Sequence, residues 1–318
     1  MDLSFLLDPF QSQMLPVGEW AQSLIDWLVS NYRDFFQALK QPIDIVLTGL
    51  ETILRGVPPT ILIVVFGLLG WQVAGPRVGV IAVVCLFLVG AIGAWPNAMT
   101  TLAIILTAVL FCIGVGIPMG ILAARSDRFE AVLKPCLDFL QTIPSFVYLV
   151  PVVMLFGIGN VPGVIVTIVY ALAPIVRLTN LGIRQVRADM VEASVAFGGN
   201  RRQTMWKVQL PLALPTIMTG VNQTIMMSLA MSVVASMISV TGLGQMVLRG
   251  IGRLDMSIAT TGGLGIVLLA IVIDRVSQGF GRTRRDRGRR QWFETGPVGI
   301  LRNLLGLDKG ANDAVRNR

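Results

Sequence analysis

The chain has 318 residues and a formal net charge of +8, with 54% hydrophobic and only 14% charged residues, and its mean hydropathy is +0.72. Those values exclude an ordinary soluble fold and indicate an all-α polytopic membrane protein. The absence of histidine removes His-based catalysis and His metal ligation, and no aromatic-and-basic surface for nucleic acid is present outside the loops and tail.

Residues 1–56 read as amphipathic rather than spanning. They lack a basic start, an apolar core and a small-residue cleavage site, so no removable signal peptide is expected. Trp20, Leu24, Trp27, Leu28, Phe35, Phe36 and Leu39 recur at helical spacing, with Asp26, Asn31 and Asp34 opposite; Ile43, Val46, Leu47, Leu50 and Leu54 repeat the pattern after Pro42. Two helices separated near Pro42 are predicted. Lying in the headgroup interface with Trp at that depth, and packing peripherally on other membrane helices, are both compatible with the pattern.

Apolar runs of spanning length follow. Residues 57–96 form two accessory spans, 57–74 and 78–94, around Gly75-Pro76-Arg77. A core over 97–276 begins with a third span, 98–124, interrupted by Gly114, Gly116, Pro118 and Gly120, which invites close helix contact or a kink. After a basic loop at 125–134 come a fourth span at 139–156, an uncharged turn at 157–163 and a short fifth span at 164–176. The sixth is 212–236, the seventh 257–273, and a basic tail fills 277–318. Cys85, Cys112 and Cys136 show no ligand spacing and read as small packing residues, so neither metal nor catalytic groups are assigned.

With about seven spans, the basic residues of 125–134, of 177–207 and of the tail share one side, which the positive-inside bias makes cytoplasmic. The N-terminus then lies outside, and Arg249 and Arg253 are a local exception on the outer side. The tail arginines suit anionic lipid, and an ionic-strength sensor is one reading; orientation and solubility are the plainer one.

Between apolar blocks, residues 191–220 form the one long polar stretch, and the loop proper is set at 184–211. Glu192-Ala193-Ser194 suit a short helix, Gly198-Gly199 end it, and a second helix starts near Arg201 and runs to Leu210-Pro211. An ordinary positive loop would have the same composition. The spacing is more specific: Glu192-Ala193-Ser194, three residues, Gly198, nine residues, Val208, one residue, Leu210-Pro211. It resembles the EAA loop of ABC-importer permeases, departing by Ser194 for Ala and Val208 for Ile. The resemblance implies a type I permease fold and makes these seven residues a coupling element that docks on an ATP-binding subunit.

Ser239-Val240-Thr241-Gly242-Leu243-Gly244-Gln245, with 246–251, is too polar to span and too apolar for a free loop. A short re-entrant or interfacial helix after the turn is predicted. Together with the Asn160 turn, Gly242 and Gly244 form either an outer gate or simple packing. No ionisable residue lies in mid-span, Asp138, Arg177 and Asp274 being near the cytoplasmic ends, so an internal proton or sodium relay is not expected. Asn222, Gln223 and Thr224, beside Met226, either bond helix to helix or line the translocation path.

The resemblance extends through 146–151, 155–163, 207–212 and 242–253, from about residue 7 to 299, and points to the permeases of glycine betaine/proline betaine importers. It implies a homodimer with two ATP-binding subunits, a periplasmic binding protein, a small quaternary ammonium solute and a bacterial inner membrane. It further implies that the chain itself binds no cofactor, ATP and Mg residing on the partner ATPase. A gated channel gives no reason for the EAA spacing, and a membrane enzyme needs a convergent set of reactive groups that the sequence lacks. A purely structural subunit remains compatible with composition.

Overall fold

The computed structural model describes residues 16–280 and 296–297. The first fifteen residues and nearly all of the tail, including the arginines from Arg282 onward, lie outside the described residues. Among the described residues the chain is helical and contains no strand.

Helix α1, Val17–Gly56, runs for 40 residues through Pro42, which corrects the expected break there. Pro42 and Ala38 both lie on the exposed side, so the one bond that proline removes is not enclosed by protein. The irregular residue is instead Tyr32, with φ −124° and ψ 21°. Just before it, Ser30 and Asn31 donate to the carbonyls of Asp26 and Trp27 at 2.7 and 2.8 Å, competing with the backbone ladder. The two halves have different surroundings. Trp20, Leu24, Trp27 and Phe35 are exposed, whereas Ile43, Leu47 and Leu54 are buried in the main core.

A bend of 109° separates α1 from α2, Pro59–Ala74. Helix α3, Pro76–Ala91, packs back on α2 around Gly75. Each has 16 residues and so rises about 24 Å, short of the roughly 30 Å of a bilayer core. The core is built on three longer helices: α4, Trp95–Arg125; α7, Asn160–Arg184; and α10, Leu210–Ala235. α7 lies between the other two and buries Val164, Val166 and Ile175. The glycine-rich α4 stays helical through Pro118 and uses its small residues for close approach. A Cβ on Gly120 would stand 2.5 Å from the Thr179 Cβ and 2.8 Å from the Val176 carbonyl of α7.

Two expectations between α4 and α7 are corrected. The basic stretch 125–134 is not a loop: Arg125 ends α4, and 127–134 opens α5, Asp127–Thr142. Ser126 caps it, accepting from the Phe129 N–H at 3.3 Å, and Asp127 and Glu130 sit in its first turn, where the helix dipole favours acids. The fourth span is not one helix either. α5 and the segment Ser145–Phe156 meet at 100°, and the latter comprises a 3₁₀ turn, Ser145–Tyr148, and α6, Leu149–Phe156. Pro144 holds Ile143 extended at φ −69°, ψ 131°, and offers no N–H to the Leu140 carbonyl. The Tyr148 hydroxyl donates to that carbonyl instead. Tyr148→Phe is therefore expected to lower the melting temperature in detergent, by an amount equivalent to about 1–3 kcal/mol for an orphaned carbonyl; an unchanged melting curve would contradict this account of the bend.

The fifth span is longer than expected, 160–184, because it continues beyond the apolar stretch to carry Arg177, Asn180 and Arg184. These clasp α5: Arg177 to Asp138 at 2.5 Å, Asn180 to Glu130 at 2.7 Å, and Arg184 to Asp127 and Glu130 at 2.7 and 2.8 Å. The pairs are largely exposed, so each contributes little by itself. Helix α12, Met256–Phe280, closes the bundle against α3 and α10. Four described helices are long and apolar enough to cross a membrane, or six if each bent pair is one span. α3 is a further, shorter apolar helix.

Candidate functional site

At one end of the bundle the chain leaves α7 and forms a two-helix knob. Helix α8, Ala188–Ala196, carries Glu192, Ala193 and Ser194. Its end is a Schellman turn: the Gly199 N–H donates to the Ser194 carbonyl and the Gly198 N–H to the Val195 carbonyl, both at 2.9 Å. Gly198 adopts φ +81°, a backbone conformation costly for residues with a Cβ. Asn200 then starts α9, Arg201–Thr204, through a capping box in which its side chain accepts from the Gln203 N–H at 2.8 Å and the Gln203 side chain accepts from its N–H at 3.0 Å. Ser194 and Thr204 hydroxyls meet at 3.0 Å and pin the two helices together.

The second helix does not stop at Leu210-Pro211. A π turn, Met205–Gln209, containing Val208, joins α9 to α10, with the Leu210 N–H donating to the Met205 carbonyl. Pro211 explains the wider turn: it has no N–H for the Lys207 carbonyl, and its ring crowds the preceding turn. The knob's surface is apolar at its tip and basic at its side. Phe197 is 93% exposed, Met190, Val195 and Trp206 are also exposed, and Glu192, Arg201, Arg202 and Lys207 make none of the described ion pairs. A groove of about 540 Å³ runs between the helices, lined by Ala193, Ser194, Phe197, Gly198, Gly199 and Val208 among others. The seven motif residues thus lie in α8, its terminal turn, the π turn and the first two positions of α10.

At the opposite end, the start of α7 meets the segment that follows α10. Asn160 accepts from the Thr241 N–H at 2.9 Å, and its side-chain amide donates to the Thr241 hydroxyl at 2.9 Å. Beyond Thr241 is the predicted short helix, α11, Leu243–Arg253, strongly amphipathic in sequence. Gly242, its N-cap, and Gly244, in its first turn, are both buried: a Cβ on Gly242 would meet the Thr101 hydroxyl at 2.4 Å, and one on Gly244 the Ser232 carbonyl at 2.8 Å. The Thr101 hydroxyl accepts from the Leu243 N–H at 2.9 Å, fixing the turn to α4. Asn160 of α7, Gly242 against α4 and Gly244 against α10 are thereby brought together at this end of the bundle.

The polar trio inside α10 divides. Asn222 donates to Asp274 at 3.4 Å and accepts from the Ser277 hydroxyl on α12, while the Thr224 hydroxyl donates to the Ala171 carbonyl on α7 at 3.0 Å. Both bond helix to helix. Gln223 and Met226 face outward from the protomer and share no site with Asn160 or Gly242.

Sequence reasoning missed Thr101 and Thr204 and took Thr241 only as part of the 239–245 stretch, since a single threonine gives no signal of a distant partner. It also passed over Phe197, although an aromatic in a basic loop is legible, and the Asn200-to-Gln203 cap, whose three-residue spacing is a recognisable helix start.

Residues 116–286 match the family described as "Binding-protein-dependent transport system inner membrane component". The chain is 58% identical over 296 residues to the glycine betaine/proline betaine transport system permease protein ProW of Escherichia coli (strain K12), covering 93% of this chain and 84% of that one. It is 41% identical over 276 residues to the glycine betaine/carnitine transport permease protein GbuB of Listeria monocytogenes (serotype 1/2a, strain 10403S), covering 86% and 98%. A solved chain of the MetNI methionine ABC transporter in inward-facing conformations shares the fold, with a TM-score of 0.50 at 23% identity over 57% of this chain and 93% of that one. On the family match and these relatives, the chain is a multi-pass permease subunit belonging to the inner membrane components of binding-protein-dependent ABC transport systems.

Proposed function

We propose that the chain is the permease of an importer for glycine betaine, proline betaine or a closely related quaternary ammonium solute, serving osmoprotection. The observation that carries the reading is the exposed knob of α8 and α9, whose motif spacing and apolar tip suit the groove of an ATP-binding subunit. Two permease copies and two such subunits form the working unit, with a binding protein on the opposite face. The knob faces the cytosol, where the basic residues concentrate, and the N-terminus lies outside. ATP and Mg act on the ATP-binding partner; this chain holds no cofactor.

The physical logic suits a zwitterion. A trimethylammonium group is held best in an aromatic cage, which a binding protein supplies, so the permease offers only a transient path. Gln223 and Met226, exposed on α10, contribute to that path between two copies, and Asn222 keeps α10 against α12. Asn160, Gly242 and Gly244 form the outer closure. ATP binding draws the two knobs together, and the closure opens towards the loaded binding protein, two states biased from opposite ends.

The test is uptake of labelled glycine betaine into vesicles containing the permease and its ATP-binding subunit. Uptake is expected only with ATP on the knob side and binding protein on the other. Passage of the solute through the permease alone would make it a channel and overturn the proposal.

A further inference from the structure

We propose that Lys40 and Phe36 on α1 are positioning residues of the outer closure, holding it shut until the loaded binding protein engages. The inference rests on the closure assigned above to Asn160 and Thr241, and adds to it a segment that neither the motif spacing nor the family match at 116–286 involves.

Helix α6 ends at Phe156, and the three-residue turn 157–159 leads from it into Asn160. The Lys40 ammonium donates to the Phe156 carbonyl at 3.2 Å across 116 residues of sequence. That carbonyl is one of those the last turn of a helix leaves without a donor, at the end where the dipole favours a cation. One turn earlier on α1, the Phe36 ring meets the Phe156 ring edge-on at 5.4 Å. Phe156 is itself buried in the cluster that holds Ile43 and Leu47 of α1 with Val240 and Leu243 beside Thr241.

The same helix also grips the other half of the closure. The Glu51 carboxylate accepts from the Thr100 hydroxyl at 2.8 Å, and the next residue, Thr101, accepts from the Leu243 N–H at 2.9 Å. A circuit therefore runs from Lys40 through Phe156 and Asn160 to Thr241, then through Leu243, Thr101 and Thr100 back to Glu51. Parting Asn160 from Thr241 requires α6 or α11 to move relative to α1. Lys40 is half-buried and belongs to none of the described ion pairs. Its charge is matched by the end of α6, so withdrawing α6 leaves a partly enclosed ammonium without its acceptor. Loss of this contact lowers the energy needed to open and leaves the knob untouched.

The experiment uses the complex of permease and ATP-binding subunit in lipid nanodiscs, with ATP hydrolysis measured without and with glycine betaine-loaded binding protein. Lys40→Met keeps the side chain's reach and removes its donor. It is expected to raise the unstimulated rate roughly three- to tenfold, the shift of one net hydrogen bond in a two-state equilibrium, leaving the stimulated rate within about twofold. Phe36→Ala is expected to act in the same direction, and Lys40→Arg to keep the wild-type ratio. Asn160→Ala is expected to raise the unstimulated rate too, and Lys40→Met with Asn160→Ala to give less than the product of the single effects, since they act on one circuit. A merely structural Lys40 lowers both rates and the yield of complex in parallel, which overturns the inference. If Asn160→Ala raises the unstimulated rate and Lys40→Met does not, the role of Lys40 falls and the closure stands. If neither changes it, the closure falls as well.

Discussion

Gly198→Asp is expected to abolish uptake while the permease still inserts and accumulates in the membrane. The turn costs only part of the effect. Gly198 sits at φ +81° with nothing within 4 Å of an added Cβ, so the penalty is one of backbone conformation, about 1–2 kcal/mol, and Asp bears it better than most residues. The larger part is the carboxylate itself, placed beside Phe197 in the groove that the ATP-binding subunit fills. An unpaired charge desolvated in an interface costs about 2–5 kcal/mol, or roughly 30- to 5,000-fold in affinity. Co-purification of the ATP-binding subunit should fall with uptake. Gly198→Asn carries the same backbone cost without the charge and should retain intermediate activity. Phe197→Ala, which removes the most exposed aromatic of the knob, should weaken co-purification by about 2–4 kcal/mol if it is the anchor its exposure suggests. Wild-type uptake by Gly198→Asp would count decisively against the knob as the contact.

Gly120→Val should leave little folded permease in the membrane. Its Cβ would fall 2.5 Å from the Thr179 Cβ and 2.8 Å from the Val176 carbonyl, and neither is the movable end of a flexible side chain. α4 and α7 would have to separate, and that contact organises the core. Overpacking of this kind costs about 3 kcal/mol or more, enough to take the amount in the membrane fraction below roughly a tenth of wild type for a marginally stable fold. Gly114 on the same helix has nothing within 4 Å, so Gly114→Ala is expected to be neutral. Thr179→Gly clears the nearest atoms and should recover part of the Gly120→Ala defect; its buried hydroxyl has no hydrogen-bond partner to lose. Equal membrane levels of the Gly120 and Gly114 variants would contradict the packing argument.

Legibility varied along the chain in a way that follows from the range of the interactions. The end of α8 was readable because Gly198 and Gly199 act on their own backbone within five residues. The π turn before Pro211 was not, although its cause is a single residue, since a proline there permits a stop, a kink or a widened turn. Pro42 and Pro144 make the same point: one lies within a continuous helix, and the other, backed by the Tyr148 hydroxyl, marks a bend of 100°. The N-terminal segment carried one amphipathic pattern, yet its first half is exposed and its second half is core.

The sequence by itself determined a bundle of apolar helices, the position of each hydrophobic segment, and a basic loop with the spacing of a coupling element. Those properties are local, because a bilayer demands long apolar runs with internally bonded backbone, and a helix end depends on the few residues around it. Only the tertiary structure decided that Asn160 meets Thr241 across 81 residues, that Asn222 bonds to α12 rather than standing free, and that Lys40 reaches the end of α6. Such contacts depend on which helix faces compete for the same packing surface, and helical periodicity carries no record of that choice.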